Sequence, residues 1–425
     1  MKIKLTLLLS LFLTVNSFAQ DLKGLTGDEN WFQNWTNFKP ATTEYKDASI
    51  ILAGTISEST TLYKKNVYRL TGTIYVTNNA TLTIEPGTLL RGDSDSNGTL
   101  VITKGAKIIA NGTETDPIVF TSNKAESTRK AGDWGGLVIL GDAPTNKFGG
   151  VGLLDMNLDQ SISTYGGADE ANDSGILKYV RIEFAGRKLK TGKEFNGLTL
   201  AGVGSKTKLA FIQISFSNDD SFECLGGNVQ LDNMISFKAT DDDYDFTQGT
   251  QCFINNSIAM RYPYVSSDVS VSRAIEVDSY DKAENMDFSR KLTNVVATNV
   301  VLSNNEEDTM GLVKEAISVN DKSTLTFDRG IITGFSSAIL IASGALNRSK
   351  DIENVNIKES IVNFCTTFFN CEDRGNVINT DIQAGTYFNN NIVSKIDNVE
   401  LFRDNSVKKS PDFRLRGLSN VAFSK

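Results

Sequence analysis

The chain has 425 residues, a formal net charge of −8 and no histidine. An acidic balance without a basic stripe excludes a nucleic-acid binder held by phosphate contacts. The missing histidine excludes Ser-His-Asp and Cys-His catalysis and His-ligated zinc, so chemistry falls to carboxylates, Lys, Arg, Tyr or a hard metal ion.

Residues 1–19 read as a secretory signal. Lys2 and Lys4 give a basic start, an apolar run follows from Leu5 to Val15, and Ser17-Phe18-Ala19 forms a small-x-small cleavage site before Gln20. The run is too short to span a bilayer, and no later stretch reaches about eighteen uninterrupted apolar residues, so no membrane span is expected. The expected location is extracellular or on the outer cell surface, with the periplasm as the alternative.

Residues 20–65 show no repeat. With Trp31 and Trp35 they read as an N-terminal extension and cap, since an open solenoid end exposes unpaired backbone and apolar core. The alternative is an aromatic platform for sugars. Residues 66–425 read as one parallel β-helix domain. Thr81-Leu82-Thr83-Ile84-Glu85-Pro86-Gly87-Thr88 opens a series continued by Thr99 to Ile108 and by Pro117 to Ser122. Each strand alternates apolar with polar or small residues, so one face points inward. Gly87, Gly105 and Gly112 are placed at corners, where a positive φ suits Gly.

Later coils are more explicit. Tyr179 to Phe184 can be laid under Phe211 to Phe216. Asn-Asp-Asp-Ser-Phe-Glu at 218–223 can be laid under Thr-Asp-Asp-Asp-Tyr-Asp at 240–245, a separation of 22 residues. A period of that size with two-residue alternation marks a stacked solenoid. Leu325 to Ile341 and Val355 to Asn363 read as further coils, and the Gly/Asp-rich stretch from Asp142 to Asp173 as an insertion projecting sideways. Cys224 and Cys252 lie about one coil apart and Cys365 and Cys371 bracket a small loop; disulfides and free thiols both remain open.

Together Thr81 to Thr88, Gly132-Asp133-Trp134-Gly135-Gly136-Leu137, Tyr179 to Gly186 and Asn218 to Glu223 resemble a large family of secreted right-handed parallel β-helix proteins of Gram-negative bacteria. The resemblance covers about Tyr75 to Ile341 and departs from the pattern at Cys224, where members place Trp. It implies an all-β solenoid with lateral loops and implies no particular activity. Asp412-Phe413-Arg414-Leu415 resembles the last coil of such proteins.

The strongest chemical signal is an acidic ladder. In the 22-residue register Asp219 stacks on Asp241, Asp220 on Asp242 and Glu223 on Asp245, and Ala274-Ile275-Glu276-Val277-Asp278 extends it so that Glu276 follows Asp245. Two unit charges one strand apart repel by about 3 kcal/mol at an effective dielectric near 20. Compensation can come from raised carboxyl pKa values, from Arg181, Arg187, Lys188, Lys238, Arg261 or Arg273, or from Ca²⁺. The candidate calcium ligands are Asp220, Glu223, Asp242, Asp243, Asp245 and Glu276; a solvated acidic corner is the bland alternative.

The leading functional expectation is a monomeric exported protein that binds polysaccharide, with Tyr165, Tyr179, Tyr244, Tyr262 and Tyr264 as candidate sugar contacts. An enzymatic alternative draws acid and base from Asp219, Asp220, Asp241, Asp242, Arg181 and Arg261. As a lyase it would resemble calcium-dependent polysaccharide lyases of this fold, which use Lys or Arg as base. As a hydrolase it would resemble polygalacturonases loosely, since their Gly-His-Gly and Arg-Ile-Lys motifs are absent. A purely structural adhesin or matrix protein is the third reading.

Overall fold

A computed structural model describes residues 23–416, apart from 269, 281, 305–310, 321, 344–353, 374–375, 380–389 and 408–409. The expected signal at 1–19 lies outside these residues. The fold is a right-handed parallel β-helix with three faces, because short alternating strands pair in parallel with their counterparts in the next coil. On the first face Leu198, Phe222, Tyr244, Ile275 and Ile317 stack in register and point inward. On the second, Leu177, Leu209, Leu231, Ile254, Ala297, Phe327 and Ile357 do the same. On the third the inward column is Ile182, Ile214, Ser236, Ala259, Leu302, Ile332 and Val362. These columns are buried and form the core.

The 22-residue register holds residue by residue: Phe222 pairs with Tyr244, Glu223 with Asp245 and Cys224 with Phe246. Phe222 and Tyr244 stack with ring centroids 5.2 Å apart. Gly87 and Gly105 occupy corners at positive φ. Gly112 does not; a Cβ there would meet the Tyr179 carbonyl oxygen at 2.6 Å, so close backbone approach selects it. None of the four cysteines forms a disulfide.

The third face also carries an outward apolar column, Ile235, Ile258, Val301, Ile331 and Ile361. The segment from Lys23 to Ser49 runs along this side of the coil stack as a strap. Leu25, Phe32, Trp35 and Phe38 cover the apolar column together with Leu401, Phe402 and Phe413 near the C-terminus. Where the column turns polar, so does the strap. Asn37 N–H donates to Gln213 Oε1 (2.8 Å), and Gln213 Nε2 returns a bond to Asn37 O (2.9 Å). Arg181 donates to Trp35 O (3.0 Å). The Asp412–Leu415 segment is not a coil: it pairs antiparallel with Phe402–Asp404 and meets the strap at a bridge between Gly24 and Arg414.

The Asp142–Asp173 insertion folds back rather than projecting. Its hairpin, Gly152–Leu153 with Thr164–Tyr165, sets Leu154, Leu158 and Tyr165 against Val101, Val138, Leu140, Ala201 and Leu225 on the outside of the first face. Apolar outward residues on those strands require this cover.

The strap's largest buried group is Trp35, fully enclosed, edge-on to Tyr179 and Phe211, with Nε1 donating to Trp31 O (2.7 Å). Trp35→Ala is expected to lower stability by about 3–5 kcal/mol. Urea unfolding checks this, and an unchanged midpoint would show that the strap is not part of the cooperative structure.

Candidate functional site: the acidic ladder and its cleft

Two successive turns lead from the third face to the first, one at 216–221 and one at 238–243. Phe216 and Lys238 enter them in the left-handed conformation, with φ of 57° and 59°. Of the Asp residues that follow, Asp220 and Asp242 serve the backbone of the next coil. Asn196 Oδ1 accepts from Asp220 N–H (3.1 Å), Asp220 Oδ1 from Asp242 N–H (3.0 Å), and Asp242 Oδ1 from Arg273 N–H. Each carboxylate therefore keeps one oxygen for the chain and presents the other outside these bonds.

The result is a convergence of oxygens. Carboxylate atoms of Asp219, Asp220 and Asp241 lie within 4.8 Å of one another, as do those of Asp220, Glu223 and Asp245. Asp220 belongs to both groups. Glu276 continues the outward column after Asp245 and accepts from Asn320 Nδ2 (2.9 Å). Asn196 Nδ2 donates to Glu223 (2.6 Å). Asp241 Oδ2 accepts from Ser270, whereas its Oδ1 is buried with no hydrogen-bond partner.

Beside the ladder a cleft of about 340 Å³ opens between Lys130–Gly132, Arg187, Lys188, Glu194, Asn218, Thr240 and Ser266–Asp268. Lys188 bridges Asp268 (2.9 Å) and Glu194 (3.8 Å) across it.

The family described as a pectate-lyase like beta helix domain matches residues 54–403. The chain belongs to that family. No curated protein and no solved structure matches it. In this pectate-lyase-like chain the coils that match include every residue of the ladder and the cleft.

Burial dominates the electrostatics of the ladder. It raises the carboxyls of Asp220, Asp242 and Asp245 well above the usual range, and the neighbours Asp219, Glu276 and Asp278 respectively add to it. Burial and then Asp241 push Asp219 up to about 8, with Lys188 offsetting part of the effect. Glu223 is pushed up to about 7 by burial, against hydrogen bonds from Thr199 and Asn196.

The pectate-lyase-like fold distributes the remaining candidates elsewhere. Asp243 and Arg261 form a fully buried pair (2.7 Å) beneath the turn, where Arg261 also donates to the carbonyls of Asp241 and Arg273. Arg181 lies on the third face under the strap, against Tyr45 and Glu183. Tyr244 is core, and Tyr165 is buried with its hydroxyl on Gln248 (2.6 Å). Tyr179 stacks on Phe211, Tyr262 lies beneath the Lys238 ammonium (3.7 Å), and Tyr264 is exposed. The sequence reading missed Asn196, Glu194, Asp268 and Lys130, which reach the site on irregular loops without a repeat signal.

A carboxyl whose pKa is higher in the folded state binds its proton more tightly there. Its contribution is therefore present below the unfolded pKa and is lost as pH rises through the folded one. Without divalent cations, the melting temperature is expected to fall between pH 5 and 8, the window set by Glu223 and Asp219, by on the order of a few degrees. Glu223→Gln combined with Asp219→Asn, which removes the two groups that set the window, should flatten that decline. Thermal melts in EDTA across this range test it; a wild-type profile that rises steadily to pH 8 contradicts it.

Proposed function

We propose that this chain is an exported polysaccharide-binding protein whose acidic ladder holds Ca²⁺ and whose adjoining cleft takes an acidic glycan. The observation that carries the reading is the convergence of Asp219, Asp220, Glu223, Asp241 and Asp245, with one buried Asp241 oxygen left without a donor. An all-oxygen donor set of high charge suits a hard cation. When bound, Ca²⁺ would neutralise the ladder and offer open coordination positions to uronate carboxylates. Asp220 would contribute to either grouping, while Asn196 orients Glu223 and Ser270 orients Asp241. Lys130, Arg187 and Lys188 supply positive charge along the cleft for a polyanion. Among the described residues no helix is long and apolar enough to cross a membrane.

A second reading is a polysaccharide lyase, favoured by cationic side chains in the cleft next to Asp219. Lys130 or Arg187, rather than Arg181 or Arg261, would take the proton beside the uronate carboxylate as the glycosidic oxygen leaves, whereas Asp268 and Glu194 hold Lys188 in its charged form. The inverting-hydrolase alternative finds less support: the oxygens of each group lie within 4.8 Å, closer than the roughly 6.5–9.5 Å between carboxyls that leaves room for the attacking water.

At pH 8, millimolar Ca²⁺ is expected to raise the melting temperature of the wild type, because a ligand of the native state stabilises it by mass action. Asp220→Asn combined with Asp245→Asn should weaken calcium affinity about tenfold or more. Titration calorimetry with Ca²⁺, followed by polygalacturonate and alginate fragments, measures both steps, and ultraviolet absorbance of unsaturated products separates binding from lyase action. If neither Ca²⁺ nor any acidic fragment binds, a structural adhesin is the better description.

A further inference from the structure

Two buried arginines join the strap to a loop on the opposite side of the cleft wall. Residues 125–128 of that loop are exposed, yet Arg129 beside them is buried. Its Nη1 donates to the carbonyls of Pro40 (2.9 Å) and Thr43 (2.6 Å) in the strap, and its Nε to Lys124 O in the loop (3.1 Å). The guanidinium also lies 4.8 Å from the ring centre of Tyr45. Arg91, equally buried, repeats the arrangement. Its Nη1 donates to Lys46 O (2.9 Å), and its Nη2 to Asn123 O (3.2 Å) and Lys124 O (3.1 Å). Ser127 N–H adds a bond to Ala41 O (2.7 Å). Each arginine thus has one side on the strap and one on the loop, and bonds from a charged donor are among the stronger ones a protein makes.

The loop continues directly into Lys130, Ala131 and Gly132, one wall of the cleft. On the far side that wall rests on Asp133, which is fully buried and holds Ser122, Lys124 and the Lys130 N–H, and on a bond from Gly132 N–H to Ala185 O (2.8 Å). The strap is itself seated by Trp35 and by Tyr45, whose hydroxyl donates to Glu183 (2.9 Å). A continuous path of bonds therefore runs from the third face to the cleft.

We infer that the strap, acting through Arg91 and Arg129, holds the Lys130–Gly132 wall in place, so that strap docking sets how tightly the cleft retains a glycan. The second clause rests on the reading of the cleft as a glycan site. Arg91 and Arg129 are positioning residues in this scheme, and the glycan is reached only by the wall they support.

Hydrogen–deuterium exchange on the full chain, wild type against Arg129→Met and Arg91→Met, tests the first clause without any ligand. The expected result is exchange about tenfold faster at Ser127, Gly132 and Asp133, with the Phe222–Leu225 and Tyr244–Thr247 strands still protected. Arg129→Lys, which keeps one charged donor, should fall between, and it carries the comparison if the Met variants do not fold. Unchanged exchange at Gly132 and Asp133, or loss of protection throughout the solenoid, overturns the inference. Capture of polygalacturonate in the presence of Ca²⁺ should weaken about tenfold in Arg129→Met, with Arg129→Lys again intermediate. Faster exchange with unaltered capture overturns the link between wall and ligand. A wild type that ignores polygalacturonate overturns the glycan reading instead, and the exchange pattern still decides the role of the wall.

Discussion

Everything in this molecule follows from parallel stacking at one strand spacing, about 4.8 Å. Whatever one coil presents at a position, the next coil presents directly over it. Inside, this is harmless, because columns of Leu, Ile, Val and Phe pack well on themselves. Outside, it concentrates whatever chemistry is repeated. Glu223, Asp245 and Glu276 form one column on the first face, and their mutual repulsion has no lateral escape. Asp220 and Asp242 in the preceding turns each cap an N–H of the following coil, which would otherwise be a buried donor without an acceptor. A structural need thus places charge where a cation can use it.

The part of this that was legible in the sequence is the part that repeats. The pairs Phe222 with Tyr244 and Glu223 with Asp245 follow from the 22-residue spacing, and Asp245 with Glu276 from the same alternation once an insertion is allowed for, since a one-residue slip would turn the apolar side chains outward. What the repeat cannot convey is which outward column will be covered, and by what. The doublets Ile331-Ile332 and Ile361-Val362 are apolar on both faces, a sign that something lies over the third face, but the covering residues of the strap stand hundreds of positions away and those at Leu401, Phe402 and Phe413 lie outside the repeat.

Side-chain direction was the other obscure quantity. Arg181, Arg261 and Asp243 belong to the right coils, yet one faces the strap and the other two close on each other in the interior. Two adjacent Asp residues in a turn point to different places, and composition does not distinguish Asp242, whose oxygen meets the Arg273 N–H, from Asp243, which meets Arg261. Glu194, Lys188 and Asp268 converge from loops of unequal length, so periodicity carried no information about them.

The meeting of the strap with the far end of the chain imposes an order of events. Thr26 bonds to Asn256 and Arg414 to Gly27, contacts separated by 230 and 387 residues. Coils can add one upon another as the chain emerges, each closing a short loop, whereas the outer end of the strap, Gly24 to Asp28, has no complete seat until those late residues exist. That end of the strap is therefore among the last parts of the described chain to come to rest. Until then Ile235, Ile258, Val301 and Ile331 stand open to water as a sticky edge. The interval between the first coil and the last is the period in which this protein is vulnerable to aggregation, and it lengthens with every coil added to the stack.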